Sequence, residues 1–125
     1  MTAEALVCWQ LLGLPQDHPA GREAAAYLLG QLPGDECNLY YWYYATLALD
    51  QLQGPSWQTW NEALQRALLS RQVKQGPLAG SWETNDLWAG CGGRLYTTTL
   101  ATLTLEVYYR FLPLYAAAGR RDLSR

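Results

Sequence analysis

Charge is scarce in this chain of 125 residues: charged side chains make up 16% of it, and acids and bases mix to a net charge of −2. That leaves no footprint for nucleic acid and no polybasic patch for a membrane surface. Histidine is scarcer still. The single His18 falls short of the usual zinc constellations, so no zinc is expected. The three cysteines, Cys8, Cys37 and Cys91, are odd in number, widely spaced and form no CxxC, which favours reduced thiols over a disulfide framework. A long hydrophobic run is also missing. The nearest approach, around Leu95–Leu114, carries Glu106 and Arg110 and does not read as a transmembrane span. Met1 leads directly into Thr-Ala-Glu with no signal-peptide pattern, so a cytoplasmic location is expected.

What the chain has in abundance is aromatic surface of an unusual kind, with 6 Trp and 9 Tyr beside 1 Phe. Half of the residues are hydrophobic, enough for the core of one domain. The expected domain spans residues 1–115, with 116–125 a flexible tail.

Turn and cap signals divide the domain into about five helices. Thr2 is placed to cap a first helix that runs to about Leu12 and stops at Gly13 and Pro15. His18 and Pro19 open a second, with Ala26, Tyr27 and Leu29 as its apolar face and Pro33-Gly34 as its end. The third runs from about Asn38 to Gln53. Its apolar side chains lie all round the cylinder, as expected of an inner helix packed on both flanks. Gly54-Pro55 reads as a stop and Ser56 as the cap of a fourth helix. There Trp57, Trp60, Leu64 and Leu68 form one stripe, and Gln58, Thr59, Glu62, Gln65 and Arg66 the wet face. In the last segment, β-branched threonines argue for a strand. Its length, and Glu106 and Arg110 at i,i+4, argue for a second inner helix, with Leu100, Leu103, Val107 and Phe111 on one side and an end before Pro113.

Few residues here suit catalysis. No pair of carboxylates stands at the spacing that sets one as acid beside another as base. Glu106, within an apolar helix, is either paired with Arg110 or a buried acid facing a lumen. Cys91 in "AGCGGR" resembles the thioester loop of complement-type proteins. That chemistry needs glutamine three residues after the cysteine; Arg94 stands there, so no thioester forms, and Cys91 reads as a small buried residue. Gly90, Gly92 and Gly93 do not give the spacing of a dinucleotide-binding loop. Tyr40, Tyr41, Trp42 and Tyr44 either pack in the core or line a pocket for a greasy or cationic ligand.

A more specific pattern lies between the last two helices: Gln72, then Gly76, then Gly80-Ser81-Trp82. It resembles the QW repeat of squalene and oxidosqualene cyclases. With "NLYYWYYATLAL", "WNEALQRALLSRQ" and "GGRLYTTTLATLTLEVYYRFLPLY", the chain is similar to the bacterial prenyltransferase/squalene-oxidase repeat proteins from about Thr2 to Tyr115. The resemblance implies an all-α fold of α/α-toroid type, in which helical hairpins stack into a ring with aromatic inner helices round a cavity. It also implies that Gln72, Gly80, Trp82, Gly92 and Gly93 form a structural joint. The Asp-x-Asp-Asp acid of the cyclases is absent, and so is the zinc set of the protein prenyltransferases. A full ring of this kind needs roughly a dozen helices. The chain therefore reads as the last part of a longer protein or a partial ring completed by association, with a homodimer expected. The function implied is a module without catalysis or cofactor of its own, used for packing or for binding an isoprenoid, another hydrophobic ligand or a partner. The alternatives are part of a terpenoid cyclase or prenyltransferase whose acid or metal lies outside this chain, and a peptide-binding helical scaffold.

Overall fold

The computed structural model describes residues 1–110. The expected tail, 116–125, and the expectations for Phe111 and Pro113 lie outside the described residues. Among the described residues there are five helices: α1 (Thr2–Leu11), α2 (Pro19–Leu29), α3 (Leu39–Leu52), α4 (Gly54–Arg71) and α5 (Ala89–Arg110). Extended pairing is confined, among the described residues, to one antiparallel bridge between Gln72 and Trp82. No described helix is long and apolar enough to cross a membrane.

The helix ends show which local signals governed. His18 caps α2, its Nδ1 accepting from the Ala20 amide at 3.2 Å, with Pro19 in the first turn. Asn38 caps α3, its Oδ1 accepting from Tyr41 at 3.0 Å. Two expected caps are displaced. The cap position of α1 is Met1 rather than Thr2, because the Met1 carbonyl already accepts from Ala5 at 3.0 Å. Ser56 lies inside α4 instead of capping it. Gln53 and Gly54 take left-handed φ values of 58° and 67° and swing the chain from α3 into α4 with no intervening loop. The end of α1 is a Schellman motif: Gly13, at φ 95°, donates to Gln10 and Leu14 donates to Trp9.

Packing follows a simple rule. The odd helices lie side by side, α1 on α3 and α3 on α5; α2 lies on α4; and the rows are joined by the pairs α1–α2 and α3–α4. The hairpins thus stack so that each helix meets the one two places on. α3 takes the centre, as its all-round apolarity demands. Trp42 and Leu49 are buried on it, and Ala45 and Ala48 let neighbours approach. From α4, the stripe Trp60, Leu64 and Leu68 is buried, while Trp57 is only partly so. The Trp60 indole N–H donates to Thr46 Oγ1 at 2.9 Å, and that hydroxyl donates to the Trp42 carbonyl at 2.6 Å. A polar ring edge is thereby satisfied inside the core.

Two expected faces are rotated. On α2 the buried residues are Gly21, Ala25 and Leu28, whereas Ala26 and Tyr27 are exposed. On α5 the buried stripe is Thr97, Ala101, Thr104 and Val107; Leu100 and Leu103 are only partly covered. The threonines tolerate burial because their hydroxyls find carbonyls nearby, Thr104 donating to Leu100 at 2.6 Å. Among the described residues α5 therefore has one packed flank rather than the two expected of an inner helix: it stands last in the odd row and faces α3 with one side.

Candidate functional site

The segment between α4 and α5 is a hydrogen-bonded knot around Trp82. Gly80, at φ 88°, turns the chain back. Its carbonyl accepts from Gln72 Nε2 at 3.1 Å, and its amide donates to Val73 at 2.8 Å. Gln72 thus closes its own loop rather than the exposed end of α4. The Trp82 ring is 4% exposed, and its indole N–H donates to the Leu68 carbonyl at 2.8 Å, so a ring edge satisfies the α4 terminus. From the α5 side, Thr97 Oγ1 donates to the Trp82 carbonyl at 3.0 Å. Arg94 reaches the same carbonyl at 3.2 Å and pairs with Glu83 at 2.6 Å. Gly93 breaks α5 with φ 59°, a backbone conformation that side chains disfavour although the space around it is open, and a Cβ on Gly92 would stand 2.4 Å from Tyr96 Cβ, so each position favours glycine for its own reason.

A second polar centre, which the sequence did not reveal, lies at the start of α3. Asp86 is buried. Its Oδ2 accepts from the Leu39 amide at 2.6 Å and its Oδ1 from Trp88 at 2.8 Å, so one carboxylate ties the first turn of α3 to the turn that leads into α5. Cys37 and Tyr96 are near enough to feel its charge. Burial pushes the Cys37 thiol up, Asp86 adds to this, and Arg71 opposes it. Burial and then Asp86 push the Tyr96 phenol up to about 12. The Tyr96 hydroxyl is buried and makes no hydrogen bond of acceptable geometry, so the influence of Asp86 on it is through charge. Arg71 donates to the Gly34 and Asp35 carbonyls at 2.6 and 3.1 Å and lies 5.6 Å from the Trp42 ring centre, tying the α2–α3 connection to α4. A thiol held protonated is a poor nucleophile, and a carboxylate engaged by two amides is not free to act as a base. The chemistry of this cluster is that of a fastening.

The aromatic residues of α3 do not converge. Trp42 points into the core. Tyr41 packs edge-on against Trp60 at 5.9 Å, and its hydroxyl lies 3.4 Å from the Leu28 and Gln31 carbonyls. Burial raises the Tyr41 phenol to about 12. Tyr40 and Tyr44 pair at 4.9 Å, with Tyr40 exposed. The four residues of the expected pocket thus have separate surroundings. Glu106 is not buried either: it lies 3.6 Å from Arg110, and the two side chains are 45% and 50% exposed. Cys91, expected to be buried, is exposed, as is Cys8.

Joint and acid do meet at one groove of about 450 Å³, whose walls include Leu69, Gln72, Trp82, Leu105, Glu106 and Tyr109. A second hollow of about 360 Å³ is lined almost wholly by apolar groups where α1 gives way to α2: Trp9, Leu12, Gly13, Leu14, His18 and Ala20. Among the described residues, no three His, Cys, Asp or Glu side chains come together as a metal site. Comparison with protein families, characterised proteins and solved structures finds no match to this chain.

Proposed function

We propose that the chain is a stacking and binding module of the α/α-toroid type, akin to the repeats of squalene cyclases and prenyltransferases, and that it works by packing and by holding a hydrophobic ligand or partner rather than by chemistry of its own. The observation that carries this reading is the alternation of the rows. Odd helices pack on odd and even on even, the arrangement a ring or arc of hairpins requires. The groove beside Trp82 supplies a place for an apolar ligand, with Leu69, Leu105 and Tyr109 as greasy walls and Gln72 and Glu106 as polar ones.

Titration with squalene and with a prenyl diphosphate tests it, with tryptophan fluorescence reading binding and mass spectrometry reading products. The expected result is quenching that saturates, is weakened by Leu105→Glu, and yields no product. Turnover that survives purification and disappears in Glu106→Gln would transfer the chain to the enzyme class. Absence of any quenching removes the ligand and leaves packing alone.

A further inference from the structure

α1 has two apolar faces, and only one is used. Ala3, Leu6 and Gln10 are buried, with Val7 packed beside them, at the i, i+3, i+4, i+7 spacing of one helix face. Met1, Ala5, Cys8, Trp9 and Leu12 have similar helical spacing on the opposite side of the cylinder, and all five are exposed. Met1 is 95% exposed, Trp9 49% and Leu12 85%; Leu11, at 69%, borders the stripe. A helix apolar on both flanks is built to be covered on both. Here the second flank continues into the apolar hollow formed by Trp9, Leu12, Leu14 and Ala20.

We propose that this face is the contact of a homodimer in which α1 of one copy lies antiparallel against α1 of the other across a two-fold axis. The proposal rests on the stacking reading above and names the partner that covers the open end. Three features select a second copy, and this face of it. The stripe carries no charged side chain, and the Met1 ammonium at its end is paired with Glu4 at 2.9 Å, so two copies meet there with little like-charge conflict. It joins small residues, Ala5 and Cys8, to large ones, Trp9 and Leu12, and a two-fold centred near Cys8 sets the large of one copy against the small of the other. Antiparallel pairing also brings each helix start, with its partial positive charge, beside the other helix end. The free side of α5 makes a poorer complement, because Thr99 and Thr102 are exposed there and Glu106 pairs with Arg110. Apolar side chains of these sizes leave on the order of 400 Å² open per copy. Two such faces bury about 800 Å² in all, below a standard stable interface, so the dimer is a weak one, with a dissociation constant on the order of tens of micromolar.

Sedimentation velocity of the reduced protein over roughly 1–100 µM tests the contact, that range bracketing the expected constant. The mass is expected to rise from one chain towards two. Trp9→Asp and Leu12→Glu, both at exposed positions, should hold it at one chain with unchanged helix content, and Leu95→Glu on α5 should leave the dimer intact. Diamide should link two chains through Cys8, the diazene taking up the two electrons and two protons that the thiols lose. The link should vanish in Cys8→Ser and persist in Cys91→Ser. A monomer across the whole range overturns the proposal, as does a dimer broken by Leu95→Glu but indifferent to Trp9→Asp. Either result leaves the ligand titration, and the stacking reading it tests, to stand or fall separately.

Discussion

The two ends of the odd row finish in different ways. At α5 the side turned from α3 is mixed, among the described residues: Thr99, Thr102 and a glutamate–arginine pair beside the exposed Leu95, Tyr108 and Tyr109. At α1 the unpacked side is Ala5, Cys8, Trp9 and Leu12, a surface as apolar as the one α1 buries on α3. Position in the row is similar and composition differs: polar groups interrupt the apolar ones on α5 but not in the α1 stripe. The contrast teaches that exposure alone does not identify a contact face; exposure of a second stripe at core spacing does.

The sharpest way to test the contrast is to truncate both faces of α1. Leu6→Ala empties a site that is 1% exposed and should cost about 2–5 kcal/mol in denaturant melts. Trp9→Ala should cost the monomer less, about 1–2 kcal/mol, since half of the ring is already covered within the chain. Equal losses would mean that Trp9 already has its partner within the chain. At the other end of the row, Trp82→Ala should cost about 3–5 kcal/mol, because it removes a buried ring and leaves the Leu68 carbonyl without its donor.

Asp86→Ala is the next largest. It leaves the buried Leu39 amide and the Trp88 amide without acceptors, and a loss of about 1–3 kcal/mol is expected. Asp86→Asn should recover part of this, since one amide oxygen can still serve one of the two helices. Hydrogen exchange would show the loss at the starts of α3 and α5 together. A loss confined to α5 would show that the tie to α3 is not made in solution.

The smallest effect is alkaline. Tyr41 and Tyr96 each have a phenol raised from 10.0 to about 12 by burial. Phenols that stay protonated when folded but ionise when unfolded leave stability intact below the unfolded value, and it then falls as pH rises through the folded one. Stability should therefore decline between pH 10 and about 12, and Tyr96→Phe should lessen the decline. Phenolate absorbance followed against pH, alongside helix content, checks the order of events: ionisation of these two tyrosines should accompany unfolding.

Much of this fold was legible because its signals are local. His18-Pro19 and Asn38 cap helices where their side chains reach their own backbone, and the aromatic girth of α3 places that helix at the centre. The displaced caps at Met1 and Gln53 arise from backbone geometry that composition does not encode. The rotation of α5 escaped because threonine is counted as polar, although Thr97 and Thr104 satisfy their hydroxyls inside the protein. Asp86 was invisible for another reason. Its partner Leu39 is 47 residues away, and no spacing along the chain announces such a tie. The Trp82 joint stood out through the pattern Gln72, Gly76, Gly80-Ser81-Trp82 and the repeat it resembles. The second stripe of α1 was equally present in the sequence, but it gains meaning only once the first stripe is known to be covered.

Hydrogen exchange at low and high protein concentration tests the central contrast most directly, because it reads both ends of the row at once. The account expects the amides of α1 to exchange more slowly as concentration rises while those of α5 exchange at an unchanged rate. Slowing at α5 with α1 unaffected would contradict it.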